Sequence, residues 1–368
     1  MQRTGIQSNE GAAGVAAQRL RHWKQLVDAW LAQYLADEER ASLSVAAEAG
    51  LLLGDLRRFV LGGGKRLRAA LVYAGYLTCA PLTNTVEVAL TPGAGAVELL
   101  HAFLLVHDDI IDRDDFRHSR PTVHASLRSW FAEHYGEEAS DRYGQSLGLL
   151  TGDIAVMLAV EVLSQLPFTP ALVLRALRTM TRIAISTGFG EALDVLAERQ
   201  PEVSTERALL IHEYKTAKYS IEGPLHIGAV LAGASEEQLA VLSRFALPLG
   251  VAYQLQDDLL SVFGDEALTG KAVGADLRDG KRTPLVTMAL ERAEGLVLRR
   301  LLGDPHLSPD GIAQAQLLFH SSGAFAECQQ IIRSNIDQAA SALEEAALRQ
   351  EGREFLRGFL VTITGRSA

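Results

Sequence analysis

Proline placement is the feature that most restricts the fold of this chain. Only 11 prolines occur in 368 residues. They leave long uninterrupted runs at 1–80, 122–166, 171–200, 249–283 and 310–368. Within these runs apolar residues recur every three or four positions, as at Leu147, Leu150 and Ile154, which is the spacing of one face of an α-helix. No series of alternating strands with Asn-Gly or Asp-Gly turns is found. The sequence therefore predicts an all-α fold of about ten or more helices.

The prolines also predict where helices end. Breaks are expected near Pro81, Pro92, Pro121, Pro167, Pro170, Pro201, Pro305 and Pro309. Pro224 and Pro248 fall inside helical patterns, where each is expected to kink or start a helix. No internal repeat and no linker rich in Pro, Ser or Gly divides the chain. We therefore expect a loose tail over residues 1–20, rich in small and polar side chains, followed by one helical domain over 21–368.

Charge and cysteine content exclude several classes of protein. The chain has 35 Lys and Arg against 45 Asp and Glu, which argues against a general nucleic-acid-binding surface. Its two cysteines, Cys79 and Cys328, form no disulfide framework, as in proteins of reducing compartments. The first thirty residues lack the apolar core of a signal peptide, and no run of about 18 uninterrupted apolar residues occurs. We therefore expect a cytoplasmic protein without a transmembrane segment.

The strongest chemical signal is the run LLVHDDIIDRDD, which carries Asp108, Asp109 and Asp112 directly after apolar residues. Asp108 and Asp112 are one helical turn apart, so their carboxylates share a face and can bind a hard cation together. Acidic groups at the end of a buried stripe are costly unless they are paired or bound to metal. The alternative is a solvated helix end that happens to be acidic.

A second acidic pair, Asp257 and Asp258, follows an apolar segment in QLQDDLLSVFG. Alone it is equally consistent with a surface pair. Two such pairs in similar settings favour a shared cage for Mg²⁺, which is commonly bound by carboxylates together with phosphate oxygens. The two motifs together therefore predict a polyphosphate ligand.

Short clusters of cations punctuate the acidic chain. They contribute Lys65, Arg66 and Arg68 in GGGKRLR, then Arg117, His118 and Arg120, then Lys215, and finally Lys271, Lys281 and Arg282. The glycines before Lys65 let backbone amides approach an oxyanion, although the run is not a Walker P-loop because Ser or Thr does not follow the lysine. Each cluster alone is as consistent with a solvated face. Several of them, two directly after acidic motifs, favour two anionic substrates.

These motifs, in this order, resemble the trans-isoprenyl diphosphate synthases, also called polyprenyl synthetases. The similarity rests on GGGKRLR, the block from DDIID to RPTVH, GEALD, KTAKY, QDD and GKAVGADLRDGKR, and spans roughly residues 60–290. It implies a single large bundle of antiparallel helices around a deep central cavity, usually as a homodimer. It further implies Mg²⁺-dependent head-to-tail joining of an allylic diphosphate to isopentenyl diphosphate, with three Mg²⁺ ions in each active site.

The resemblance also implies roles for individual residues. The Mg²⁺ ligands are Asp108, Asp112 and Asp257, with Asp109 and Asp258 in supporting positions. The allylic diphosphate is held by Arg117, Lys215 and Lys271. The isopentenyl diphosphate pocket contains Lys65, Arg68 and His101, and substrate binding further involves His118 and Lys281. The developing carbocation faces Thr216 and Gln254, and the same cavity is lined by Asp194.

Product length is expected to depend on the residues one turn before the first acidic motif. Phe103 and Leu104 stand five and four positions before Asp108 and by resemblance form the cavity floor. A large residue at the first position without an aromatic residue at the second resembles synthases of C20 geranylgeranyl diphosphate. C15 farnesyl diphosphate or a longer polyprenyl product remains the alternative.

Five positions depart from the family pattern. Ser261 stands where the second motif commonly ends in Asp, and His118 and Ser119 stand where many members carry a second Arg followed by Gly. Glu191 replaces a usual Gln, and Arg366 is the only cation of the C-terminal TGRSA. Two other functions therefore stay open: a class I terpene cyclase, which needs no second anion site, and a non-catalytic subunit of a heteromeric synthase.

Overall fold

Helices dominate the structure, as the apolar spacing predicts. A computed structural model describes residues 2–117, 119–200, 202–264, 273–292 and 295–365, with side chains from residue 13 onwards. The N-terminal helices are α1 (Gln2–Leu43), α2 (Ala47–Val60), α3 (Leu67–Leu77), α4 (Asn84–Ile111), α5 (Val123–Tyr135), α6 (Ser140–Ser164) and α7 (Pro170–Arg199). The rest are α8 (Thr205–His212), a π-helix (Glu213–Glu222), α9 (Gly223–Leu231), α10 (Glu236–Phe263), α11 (Ala275–Asp279), α12 (Pro284–Leu290), α13 (Gly295–Leu301), α14 (Pro309–Ser321), α15 (Ala324–Ala342) and α16 (Gln350–Thr364). Two short antiparallel strands, β1 (Phe116–Arg117) and β2 (Arg120–Pro121), follow α4.

Hydroxyl side chains fix where the functionally important helices begin. The Thr83 hydroxyl accepts a hydrogen bond from the backbone of α4, and Ser204 caps α8 in the same way. Ser235 and Gln238 form a reciprocal capping box at the start of α10. These side chains satisfy backbone N–H groups that have no partner within the helix. They thereby fix the starts of the helices that carry the acidic motifs.

The break predicted at Pro92 is wrong, because α4 continues through this residue. Small residues next to it allow close packing: a Cβ atom on Gly93 would lie 3.1 Å from the Leu166 side chain, and one on Gly95 would lie 2.2 Å from the Trp30 ring. Tertiary packing at this helix therefore outweighs the loss of one backbone hydrogen bond. Pro248 lies inside α10, as expected from its helical surroundings.

The chain divides into two compact units, each with its own core. One unit contains residues 18–178 and 227–233, and the other contains 1–17, 179–226 and 234–368. In the first, α4 packs against α3 and α6. In the second, α10 packs against α15 and the π-helix. The prediction of one domain over 21–368 stays a prediction, and the stretch expected to be a loose tail is helical from Gln2 onwards.

Two helices, α4 and α6, are long and apolar enough to cross a membrane by length and composition alone. Core helices of water-soluble proteins pass the same test, and 61% of the most apolar window of α4 is buried inside the protein. For α6 the buried share is 44%. This helix therefore keeps part of its apolar surface exposed.

Candidate active site

The C-terminal end of α4 brings two carboxylates onto one face. Oxygen atoms of Asp108 and Asp112 lie within 4.8 Å of each other, which confirms that these side chains share a side of the helix. The backbone N–H of Asp112 donates to the Asp108 carbonyl oxygen at 2.8 Å, so the last turn holds the spacing. Carboxylate oxygens at this separation are suited to a hard divalent cation.

Asp109, between these two residues, is fully buried and bound by Arg117. The Nε atom of Arg117 donates to Oδ1 of Asp109 at 2.7 Å, and its Nη2 atom donates to Oδ2 of Asp108 at 3.1 Å. Burial raises the pKa of Asp109 to about 6, although the positive charge of Arg117 opposes this shift. Its Oδ2 atom has no hydrogen-bond partner within the described part of the chain. Arg117 thus contacts only one of the two Asp109 oxygens, which fits a site where an additional cation binds.

Several basic side chains act on His101, which lies on α4 two turns before the acidic motif. Burial, and then the positive charges of Arg68, Arg117 and Arg66, hold the pKa of His101 well below its ordinary value of 6.5. His101 is therefore neutral at physiological pH. Three arginines from two separate sequence clusters thus share one electrostatic environment, as an anion site requires.

The GGGKRLR loop uses its first arginine for structure. Gly63 and Gly64 have φ values of 125° and 113°, in the region that favours glycine. Arg66 is buried and donates to Asp28 at 2.8 Å and to Glu98 at 3.0 Å. Two carboxylates thus neutralise Arg66. Of the cluster's cations, the exposed Lys65 and the half-buried Arg68 are better suited to a ligand.

The KTAKY motif forms the π-helix, and Lys215 on it binds two carboxylates of α7. Its Nζ atom lies 2.8 Å from both Oε2 of Glu191 and Oδ2 of Asp194. The structure thus brings the predicted Lys215 and Asp194 together, and Glu191, which replaces the usual Gln of the family, adds a second negative charge beside the lysine. The three side chains are about four-fifths buried, so this pairing is only partly screened by solvent.

Glycines on the neighbouring helices make room for the π-helix. A Cβ atom on Gly190 would lie 2.3 Å from the backbone nitrogen of Lys215, and one on Gly250 would lie 2.5 Å from the Ala217 Cβ atom. Neither helix could approach this closely with a larger residue. The backbone of the motif is therefore fixed from two sides, which positions Lys215 and the adjacent Thr216.

The second acidic pair lies inside α10 and divides into a half-buried and a buried member. Asp257 is half-buried, whereas Asp258 is 4% exposed. The amide nitrogen of Gln254 donates to Oδ1 of Asp258 at 3.0 Å, and the Gln254 amide oxygen accepts from the Thr216 hydroxyl at 3.0 Å. His212 completes this group, with its Nε2 atom 3.2 Å from Oδ2 of Asp258. Sequence analysis missed His212, although it lies only three positions before Lys215 of the KTAKY motif.

The remaining predicted residues are more dispersed. Phe103 is half-buried and packs edge-on against the His107 ring at 4.7 Å between ring centroids, and Leu104 is also half-buried. Lys281 is half-buried after α11, and the buried hydroxyl of Ser261 has no hydrogen-bond partner within the described residues. His118 and Lys271 lie outside the described residues.

Comparison with known proteins agrees with this geometry. Residues 51–316 match the family described as polyprenyl synthetase. The chain is 31% identical to the geranylfarnesyl diphosphate synthase of Aeropyrum pernix, covering 86% of this chain and 94% of that protein. It is 33% identical to the geranylgeranyl diphosphate synthase of Mycobacterium tuberculosis, covering 77% of this chain and 75% of that protein.

Solved structures give the same result for the fold. A geranylgeranyl pyrophosphate synthase from Corynebacterium glutamicum, complexed with isoprenyl diphosphate and magnesium, superposes with a TM-score of 0.87 at 32% identity. The match covers 94% of this chain and 99% of that one. The predicted all-α isoprenoid synthase fold and the resemblance of the motifs are both confirmed. The chain belongs to the polyprenyl synthetase family and is a trans-prenyltransferase.

Proposed function

We propose that this protein joins isopentenyl diphosphate head to tail to an allylic diphosphate and releases an all-trans prenyl diphosphate, C20 geranylgeranyl diphosphate. The observation that carries the proposal is the pairing of Asp108 and Asp112 at the end of α4, where Arg117 donates to Asp108. It is supported by the relatives, which are described as C15, C20 and C25 synthases.

Mg²⁺ fits the residues proposed to bind it. Asp108, Asp112 and Asp257 offer the hard oxygen atoms that this ion prefers, and the buried Oδ2 atom of Asp109 has no other partner within the described residues. We propose that three Mg²⁺ ions bind, and that Asp109 and Asp258 support the site without being the main ligands. When bound, the ions supply positive charge to the diphosphate as it becomes a leaving group.

The chain's own cations hold the two diphosphates. We propose that Arg117, Lys215 and Lys271 bind the allylic diphosphate, because positive charge there stabilises the departing oxygen as the C–O bond breaks. Lys65 and Arg68, with neutral His101 as a hydrogen-bonding group, take isopentenyl diphosphate, and His118 and Lys281 complete substrate binding. Without substrate the Lys215 ammonium group contacts Glu191 and Asp194, and an ammonium group has three N–H donors with which to bind carboxylate or phosphate oxygens.

The bond changes balance without a further reagent. The allylic C–O bond breaks heterolytically, and both electrons leave with diphosphate. The double bond of isopentenyl diphosphate then forms the new C–C bond to the allylic carbon. The resulting cation loses a proton to the released diphosphate, which restores a double bond. We propose that Thr216, Gln254 and Asp194 face this cavity, where exclusion of water protects the cation.

Product length is proposed to be set by Phe103 and Leu104. The Phe103 ring is fixed by His107, whose Nε2 atom lies 3.1 Å from the Leu149 carbonyl oxygen on α6. A Cβ atom on Gly152 would lie 2.4 Å from that imidazole, so α6 packs directly behind the ring pair. A floor held this rigidly supports one defined product, with C15 or longer products as the alternatives.

We also propose a cytoplasmic homodimer. On α6 the large apolar residues Leu149, Leu150 and Met157 are exposed, and on α7 so are Phe189 and Leu196. Large exposed apolar residues on long helices are typical of a protein interface. Light scattering is expected to give twice the mass of one chain. Phe189→Glu is expected to yield monomer, whereas the equally drastic Leu317→Glu on α14 leaves the mass unchanged.

A product assay tests the activity. Purified protein is incubated with Mg²⁺, labelled isopentenyl diphosphate and, separately, dimethylallyl, geranyl and farnesyl diphosphates, and the dephosphorylated alcohols are separated by chromatography. A C20 alcohol supports the whole proposal. A C15 or much longer alcohol supports the proposed prenyltransferase activity and contradicts the assignment of Phe103 and Leu104 as the cavity floor. No incorporation from any primer by folded protein rejects the proposal and favours a non-catalytic subunit, the function to which Ser261 points.

A further inference from the structure

A continuous polar chain links the π-helix to the buried end of α8 within one compact unit. The Thr216 hydroxyl donates to Oε1 of Gln254 at 3.0 Å, and Nε2 of Gln254 donates to Oδ1 of Asp258 at 3.0 Å. Nε2 of His212 lies 3.2 Å from Oδ2 of Asp258. Asp258 is 4% exposed and His212 is 7% exposed. The chain therefore runs from the proposed cavity into the protein interior.

The direction of each hydrogen bond follows from the chemistry of Asp258. An ionised carboxylate only accepts hydrogen bonds, so Gln254 must turn its NH₂ group towards Asp258. Its carbonyl oxygen then faces Thr216, and the Thr216 hydroxyl has to donate its only proton to that oxygen. The lone pairs of the Thr216 oxygen are consequently directed away from the chain, where they can face a developing positive charge.

His212 closes the buried end of this chain by its contact with Asp258. Its Nε2 atom lies 3.2 Å from Oδ2 of Asp258, but Oδ2 of Asp258 and Nδ1 of His212 have no formed hydrogen bond within the described residues. The imidazole nitrogen is thus within reach of the carboxylate oxygen, and a small rotation of the ring would let its N–H group donate to that oxygen. Burial, with the negative charges of Asp258 and Glu327, raises the pKa of the Cys328 thiol to about 12, so this neighbouring thiol stays neutral.

We propose that His212 and Asp258 are positioning residues that fix the Gln254 amide and, through it, hold the oxygen lone pairs of Thr216 towards the allylic cation. The inference rests on the proposed function, which puts Thr216 and Gln254 beside that cation. Dipoles fixed before charge develops stabilise it without reorganisation. Once this anchor is lost, the amide can flip and the hydroxyl can rotate its proton towards the cation.

The test compares kcat and KM for wild type, His212→Leu, His212→Gln and Asp258→Asn. We expect His212→Leu and Asp258→Asn to lower kcat about 10- to 100-fold, with KM for both substrates within about threefold. His212→Gln retains an N–H donor and is expected to stay within about threefold of wild type. His226→Leu is the control, because His226 is a half-buried histidine that is hydrogen-bonded to Ser243 and the Leu239 carbonyl, and its loss is expected to leave kcat unchanged.

A double-mutant cycle separates positioning from general loss of structure. If His212 acts through Thr216, then His212→Leu costs less than about twofold once Thr216→Val has removed the hydroxyl. Multiplying effects in the double variant, or equal losses in His212→Gln and His212→Leu, would overturn the inference. So would a large rise in KM at unchanged kcat.

Magnesium dependence tests the remaining alternative, that Asp258 is a metal ligand. The half-saturating Mg²⁺ concentration, and Mg²⁺ binding by calorimetry without turnover, are expected to be unchanged in Asp258→Asn. A shift of more than about tenfold would make Asp258 a metal ligand and reject its positioning role. An inactive wild type rejects the proposed function itself, whereas an active wild type with additive variants rejects only this inference.

Discussion

The two Asp-Asp pairs have the same sequence but different surroundings. Both consist of a half-buried first aspartate and a buried second one: Asp109 is 0% exposed and Asp258 is 4% exposed. The pair on α4 lies in the last turn of its helix, whereas Asp257 and Asp258 lie more than a turn before the end of α10. In each pair, neighbouring side chains of the protein engage the buried second carboxylate, and on α4 the same Arg117 also donates to the first, Asp108.

The protein engages the two buried carboxylates by different means. Asp109 is bound by the cation of Arg117, and Asp258 by the neutral Gln254 and by His212. The first arrangement concentrates charge next to the proposed diphosphate site, while the second orients a polar chain. One dipeptide therefore serves two purposes, according to which side chains the neighbouring elements supply.

The largest expected effect is on the half-buried aspartates. Asp108→Asn and Asp257→Asn each remove one charged ligand from the proposed cation site, so we expect kcat to fall by about 10³-fold or more. The half-saturating Mg²⁺ concentration should rise in both. Steady-state kinetics over a Mg²⁺ series measures both quantities. Asp337→Asn, an exposed position on α15, is the control, and an Asp257 variant with wild-type kinetics would limit metal binding to α4.

The next effect distinguishes the turns that precede the two pairs. Phe103 and Leu104 stand five and four positions before Asp108 on α4, and Ala252 and Tyr253 stand at the corresponding places before Asp257 on α10. Phe103→Ala is expected to lengthen the product by at least one isoprene unit, because one helical turn of about 5.4 Å matches one extended unit. Chromatography of the dephosphorylated product measures this. Phe131→Ala on α5 is the control, and unchanged C20 output from Phe103→Ala would contradict the floor.

The sequence predicted the positions of the acidic residues on α4 but not the packing around them. Helical spacing alone placed Asp108 and Asp112 on one face, because both lie on one helix. The predicted helix break at Pro92 does not occur, because the close packing of Gly95 against Trp30 stabilises a continuous α4. Such packing depends on residues distant along the chain, which single-sequence periodicity does not contain.

The supporting residues were harder to predict for the same reason. His212 approaches Asp258 across 46 positions of the chain, and nothing in its local pattern signals this contact. Arg66 belongs to a basic cluster, yet Asp28 and Glu98 neutralise it. Motifs thus identify the chemical groups, while long-range pairing decides which of them remain for a ligand.

A smaller effect concerns the stability of the two buried carboxylates. Because the pKa of Asp109 is raised to about 6, the folded protein holds the proton of this carboxyl group more tightly than the unfolded chain does. The free energy of unfolding therefore falls as pH rises from 3.8 to about 6. Asp109→Asn lacks this loss and is expected to be more stable than wild type by about 1–3 kcal/mol at pH 7.5 without metal. The gain should shrink at pH 5.

Asp258→Asn is the comparison for this measurement. An Asn side chain can hydrogen-bond Gln254 in either amide orientation, so it no longer fixes that orientation but still satisfies the buried group, and the free energy of unfolding is expected to change by less than about 1 kcal/mol. Urea denaturation in a metal chelator measures both variants. Equal changes in the two variants would contradict the distinction between a charge-paired and a hydrogen-bonded aspartate.

The smallest effect tests whether the α4 side uses His101 as a neutral group. Because its pKa is held well below 6.5, the unfolded chain binds a proton that the folded protein does not. Stability is therefore retained above pH 6.5 and is lost as pH falls below it, by at most about 1.4 kcal/mol for each pH unit. His101→Gln removes this loss, and so its melting temperature should fall less than that of wild type between pH 7.5 and 5.5. His134→Gln, an exposed position on α5, should follow wild type. Parallel curves for His101→Gln and wild type would show that His101 carries charge, and would give the α4 side a further cation that the α10 pair lacks.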